Sequence, residues 1–187
     1  LKRNIGYEGG LLDVIQDDQT LNYRNKVVYH VLDDEMMRLG LYTTTPIELV
    51  EVHTFILNSL AIQRCIAKIQ QQSIKVDPKV FKHVMLRSNE KEEVLVTLVA
   101  YEKEFTGLKE LADKIKTFKE VVGITLNIKP NDKTILGHES IVLYGKNELV
   151  FNQGNLKLKI NDRSFMQVNL PVMIKTYDKI ASEINGE

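Results

Sequence analysis

Cysteine is almost missing from this sequence: one residue in 187, Cys65. That excludes a disulfide scaffold, a Cys-rich zinc site and a cysteine-ligated iron–sulfur cluster within the chain. No apolar run approaches the roughly 18 residues of a membrane span, and no signal peptide opens the sequence. Charge of one sign is lacking too: 25 basic residues face 25 acidic ones, so bulk electrostatics do not announce nucleic acid. Prolines number four, and there is no repeat or low-complexity tract. What remains, 43% hydrophobic and 27% charged residues, is ordinary globular composition and rules out the disordered and fibrous classes. These absences predict a soluble, cytoplasmic protein with no membrane partner. Residue 1 is Leu rather than Met, which is compatible with a piece excised from something longer.

Charge is unevenly placed. Ala61 to Ser88 carries Arg64, Lys68, Lys75, Lys79, Lys82 and Arg87 against Asp77 alone, whereas Asn89 to Glu120 has more acids than lysines. The basic stretch suits an RNA-facing side or, equally, a solvated helix and loop. Strands are expected at Tyr23–Leu32, Met36–Tyr42, Ile47–Val52, Val80–Arg87, Glu93–Tyr101, Ile124–Ile128, Ser140–Tyr144 and Leu156–Ile160. A helical period runs from Phe55 to Gln72. A second stripe, Leu108, Leu111, Ile115, Phe118 and Val122, ends with Gly123 as expected C-cap. A third helix starts at Asn169 as N-cap with Pro171 in its first turn, and Met173, Tyr177, Ile180 and Ile184 give it an apolar side. Runs of strands between single helices predict an α+β fold with a mainly antiparallel sheet and about three helices.

Chemical motifs are sparse. His30, His53, His83 and His138 lack metal-ligand spacing, and Cys65 beside an apolar helical stripe reads as buried and inert. Gly9-Gly10 follows no convincing strand, so a phosphate cradle there is not expected. Asn89–Glu93 reads as a solvated hairpin. Three stretches stand out. Tyr23-Arg24-Asn25-Lys26 offers two cations, an aromatic ring and an amide at a strand start, a set able to touch phosphates and stack a base. Asn127 to Asn131, Leu136-Gly137 and Tyr144-Gly145 suit turns. Ser164-Phe165-Met166-Gln167-Val168-Asn169 feeds a helix N-terminus, with Gln167 able both to donate and to accept.

In this order the stretches resemble the S-adenosylmethionine-dependent RNA (uracil-5-)-methyltransferases, which make 5-methyluridine in tRNA or 23S rRNA. Tyr23 to Lys26, Gly40-Leu41-Tyr42, Ile47 to Val52, Asn127, Asn131, Leu136-Gly137 and Tyr144-Gly145 follow the family pattern, and Ser164 to Asn169 matches its Ser-Phe-x-Gln-Val-Asn motif without gaps. The resemblance implies that Gln167 contacts the methionine end of S-adenosylmethionine and that Phe165 lies near a flipped uracil. Tyr23, Arg24 and Lys26 would then meet the RNA, the two cations holding its backbone. It implies a mechanism in which a cysteine thiolate adds to uracil C6 so that C5 can attack the sulfonium methyl. The nucleophilic cysteine, the carboxylate base and the glycine-rich cofactor strand follow the Gln-Val-Asn motif in that family. This chain therefore contains no expected catalytic residue. A cluster-ligating cysteine would fall near Phe55, so no iron–sulfur cluster is expected. By resemblance, residues 1–168 are a central RNA-facing domain, and 169–187 are the first helix leading to a Rossmann-like methyltransferase domain that the chain lacks. The competing expectation is a non-catalytic RNA-binding module sharing the fold.

Overall fold

The structure, a computed structural model, describes residues 13–153 and 156–184, so the Gly9-Gly10 pair lies outside the described residues. Among those residues, β1 (Lys26–Val31), β2 (Leu39–Tyr42) and β3 (Leu49–Glu51) precede helix α1 (Leu60–Gln70). The hairpin of β4 (Phe81–Ser88) and β5 (Val94–Ala100) is followed by α2 (Leu108–Ile115) and β6 (Val121–Ile128). Then come β7 (Glu139–Gly145), β8 (Glu148–Gln153), β9 (Leu156–Asn161) and α3 (Leu170–Ile184). Seven strands form one sheet in the order β3-β2-β1-β4-β5-β6-β7, and β8 pairs with β9 in a separate ribbon. Only β5 and β6 run parallel, and α2 supplies the crossover that a parallel pair needs. The architecture is α+β, as the strand and helix pattern predicts.

Alternation sets the faces. Val27, Tyr29 and Val31 of β1 join Val84 and Leu86 of β4 and Val94, Val96 and Leu98 of β5 in the main core. Against that face α1 lays Ile62, Cys65, Ile66 and Ile69, and α2 lays Leu108, Leu111 and Ile115. Ser59 starts α1 by accepting from the Ile62 N–H (3.4 Å). On the opposite face, a smaller cluster packs Leu95 against Leu149, Phe151, Ile160, Met166 and Met173. With cover on both sides, β5 is buried at every position and reads as a continuous apolar run rather than an alternating one.

The structure corrects several expectations. Phe118 and Val122 continue a helical spacing, yet α2 stops at Ile115, and Gly123 lies inside β6 rather than capping a helix. A Cβ on Gly123 would stand 1.8 Å from the Lys146 carbonyl oxygen, so close backbone approach, not a C-cap, demands glycine there. The strand β8 goes unforeseen although Leu149 and Phe151 alternate with Val150 and Asn152. The Asn89–Glu93 hairpin is not merely solvated. Asn89 is buried, accepts from the Lys91 and Glu93 N–H groups, and donates to the Val150 carbonyl (3.1 Å). Phe55 precedes α1 instead of lying on its face. Of the apolar side expected on α3, only Met173 is buried, while Tyr177, Ile180 and Ile184 are exposed. No described helix is long and apolar enough to cross a membrane.

Candidate RNA and cofactor interface

Two of the three singled-out stretches meet, although 142 residues separate the groups that join them. The Asn25 N–H donates to the Val168 carbonyl (3.0 Å), Asn25 Nδ2 donates to the Gln167 carbonyl (3.1 Å), and Arg24 bridges Asn169 in antiparallel fashion. On its other side this segment is held by the α1 approach: the Arg24 N–H donates to Leu57 and the Ser59 N–H to Arg24 (2.8 Å each). Tyr23 to Lys26 is thus clamped between residues 57–59 and 167–169. Beyond the clamp, Asn169 caps α3, its Oδ1 accepting from the Val172 N–H (3.2 Å).

Cations gather at the junction. Lys26 stands directly across from Arg87 in the β1–β4 register, on the sheet face away from α1. Cross-strand neighbours of this kind have Cβ atoms about 5 Å apart. Burial, then the Arg87 and Arg24 charges, holds the Lys26 ammonium below its usual range. Arg24 Nε donates to the Lys26 carbonyl (3.1 Å), leaving its terminal nitrogens for other partners. Among the described residues, no carboxylate forms a salt bridge with Arg24, Lys26 or Arg87. A group of like charges without salt-bridge partners costs stability and attracts an anion. Beside it Phe165 is 83% exposed, an uncommon state for so large an apolar side chain at a loop bend. Gln167, also exposed, stands at the rim of a hollow of about 250 Å³ shared with Asn169, Val172, Met173, Thr176 and Tyr177.

The basic run read from Ala61 to Ser88 does not make one basic side. Arg64 pairs with Glu92 (2.8 Å) and Lys68 with Glu120 (2.7 Å) on the α1 side, whereas Arg87 is buried on the opposite face. Arg87 is the residue that the sequence reading failed to single out. Its signal was a lone arginine within the apolar run Val84-Met85-Leu86.

The middle stretch proves structural. Asn127, fully buried, donates to the carbonyls of Gly137 (3.1 Å) and Glu139 (3.2 Å) and to Ser140 Oγ (2.9 Å), while its Oδ1 accepts from the Gly137 N–H (2.7 Å). Gly145 adopts φ 60°, the left-handed region that favours glycine.

A second buried polar group lies on the same sheet face, at the far end of β1. Lys129, 2% exposed, donates from Nζ to His83 Nε2 and to Asp132 Oδ1, both at 3.1 Å. Because an ammonium only donates, His83 must be the neutral imidazole protonated on Nδ1. Burial, then the His30 and Lys129 neighbours, depresses the His83 pKa to about 3. The unfolded chain protonates near pH 6.5, so the folded state is favoured above that pH and loses this advantage as pH falls toward 3. Denaturant titrations from pH 7 to pH 4 should therefore show a stability loss that is smaller in His83→Gln than in the wild type. Equal slopes for both proteins would contradict the arrangement. Among the described residues, no three His, Cys, Asp or Glu side chains converge as metal ligands.

No protein-family model matches the chain. A protein of Fusobacterium nucleatum named an uncharacterized RNA methyltransferase is 26% identical over 89% of this chain and 39% of its own length. One from Lactobacillus johnsonii, named likewise, is 26% identical over 89% of this chain and 41% of its length. The chain thus spans about two fifths of these relatives. The crystal structure of Pyrococcus abyssi tRNA (uracil-54, C5)-methyltransferase with S-adenosyl-L-homocysteine superposes with a TM-score of 0.72, at 17% identity. That match covers 97% of this chain and 45% of the other. Sequence and architecture point the same way: the chain is similar to part of proteins named RNA methyltransferases and has the fold of part of a tRNA uracil-C5 methyltransferase.

Proposed function

We propose that this chain is the central, RNA-facing part of an S-adenosylmethionine-dependent RNA (uracil-5-)-methyltransferase acting on 23S rRNA or tRNA. In this reading residues 1–168 position the RNA, and 169–187 begin the passage to the catalytic domain. The observation that carries it is the junction itself: a cluster without salt-bridge partners, Arg24, Lys26 and Arg87, beside the exposed ring of Phe165 and the exposed amide of Gln167. Phosphates meet Arg24 and Lys26, and a base taken out of its stack finds a face on Phe165. Tyr23, in the same clamp, lies against the same strand of RNA.

Gln167 suits the methionine end of S-adenosylmethionine, because an amide can donate to a carboxylate and accept from an ammonium. Among the described residues no glycine-rich strand end accompanies it, so this chain fits one side of that cofactor. When bound, the cofactor supplies the methyl group; the residues here orient its amino-acid end and present the uracil. Cys65 does not serve as nucleophile, for it is fully buried, and burial followed by the Glu120 charge pushes its thiol far up.

Titrating the chain with unmodified 23S rRNA and tRNA transcripts should show binding that Phe165→Ala weakens by roughly five- to 100-fold, the worth of one stacked base. Labelled S-adenosylmethionine added to the same mixtures should transfer no label. Absence of binding to both RNAs would defeat the proposal, and label transfer lost in Cys65→Ser would make Cys65 a nucleophile and overturn the reading of it as inert.

A further inference from the structure

Arg87 occupies an unusual position for an arginine. Its side chain is 1% exposed on the sheet face away from α1, directly across from Lys26. One of its nitrogens is spent on the loop of interest: Nη2 donates to the Ser164 carbonyl (2.8 Å). Nε and Nη1 have no hydrogen-bond partner. The nearby Asp162 acts on it only through space: it makes no hydrogen bond to Arg87 and accepts instead from Ser140 Oγ (2.5 Å) and the Arg163 N–H (3.0 Å). Burying a guanidinium with two idle nitrogens beside a second cation opposes folding. A methionine of similar length would pack more cheaply. The charge also lies too deep to touch a phosphate.

We infer that Arg87 is a positioning residue, which fixes the Ser164–Asn169 loop on the sheet and so sets Phe165 and Gln167 beside Arg24 and Lys26. The loop is then held at both ends from adjacent strands. Arg87 of β4 grips Ser164, and Asn25, just before β1, grips Gln167 and Val168. Phe165 projects to solvent from between these two grips, with Met166 buried beneath. The planar fork of arginine suits this role better than the single point of lysine, since its orientation is fixed once one edge is bonded. This inference rests on the RNA-facing reading of the junction.

The test uses the full chain, with a single-stranded uridine-bearing RNA oligonucleotide as probe, well below the thermal transition. Arg87→Met should speed hydrogen exchange of the Ser164 and Asn25 amides, which donate to Asn161 Oδ1 and to the Val168 carbonyl, about ten-fold or more, with β5 and β6 unchanged. It should also weaken RNA binding about ten-fold while leaving the salt dependence of binding as steep as before, because no phosphate contact is removed. Arg87→Lys should recover part of both losses. Unchanged exchange at Ser164 and Asn25 would overturn the inference, as would faster exchange with unaltered RNA affinity. A salt slope flattened by about 0.7 would also overturn it, since Arg87 would then be a phosphate ligand on the single-stranded probe. Should Arg87→Met fail to fold, Arg87→Lys carries the same readouts, a partial loss of both counting for the inference and no loss against it. If the wild-type chain binds no RNA, the functional reading falls, and the exchange comparison alone decides whether Arg87 fixes the loop.

Discussion

Arg24→Ala combined with Lys26→Ala should weaken RNA binding by about 30-fold or more at low salt, from two charge-assisted contacts of roughly 1 kcal/mol or more each. The salt dependence should flatten by about 0.7 per lost contact on single-stranded RNA, about 1.4 in all. The fold should survive. Arg24 loses the bond from Nε to the Lys26 carbonyl, worth about 1 kcal/mol, but removing two of three clustered cations relieves repulsion at Lys26 and Arg87. A melting temperature within a few degrees of wild type, together with weak binding, is the signature of a site whose charges are kept for a ligand. Lys114→Ala with Lys116→Ala is the control, since those lysines sit exposed at the end of α2 among acids. Equal losses for both pairs, or none for the first, would reduce Tyr23 to Lys26 to a structural strand start.

The second large effect concerns the fold. Gly137→Ala should destabilise the protein by about 3–5 kcal/mol, lowering the melting temperature by roughly 6–20 °C. A Cβ at Gly137 would stand 1.7 Å from the Ile128 carbonyl oxygen and 2.8 Å from the Lys129 Cα, and both are backbone that cannot swing aside. Moving the 137 segment away would also strip Asn127 of partners that satisfy its buried amide. Lys133→Ala, exposed in the same loop, should melt within about a degree of wild type. Equal melting of both variants would mean that the Gly137 approach is not as close as described.

Local chemistry made much of the fold readable. Apolar alternation located β1, apolar runs bounded by polar turns located β4, β5 and β7, and Asn169 starts a helix as a residue of its type does, whereas Ser59, read as part of a helix face, caps α1. Errors came where a residue's reason lies across space. Gly123 looked like a helix end because Phe118 and Val122 extend a helical period, whereas the carbonyl that requires glycine belongs to Lys146. The basic segment looked like a surface because a sequence window cannot tell that Glu92 and Glu120 arrive to neutralise Arg64 and Lys68. At the candidate site, the members Tyr23, Arg24, Lys26, Phe165 and Gln167 could be named from short patterns. Their adjacency could not, for it depends on where β1 sits and on how the chain returns after β9. Arg87 was counted only as one charge among six, since nothing local shows that it turns inward to Ser164.

The closure of the first strand by the last loop also orders events in time. At translation rates of about 5–20 residues per second, the 142 residues between Asn25 and Gln167 take roughly 7–28 s to emerge. Throughout that interval β1 can pair with β2 and then β4, but its leading end has no partner from residues 167–169. A nascent chain halted before Ser164 thus carries every basic residue of the cluster and lacks the loop that bears Phe165 and Gln167. If the junction faces RNA as proposed, its full surface would assemble in one late step, after the sheet is complete, when the loop sets Phe165 and Gln167 beside the cations already in place.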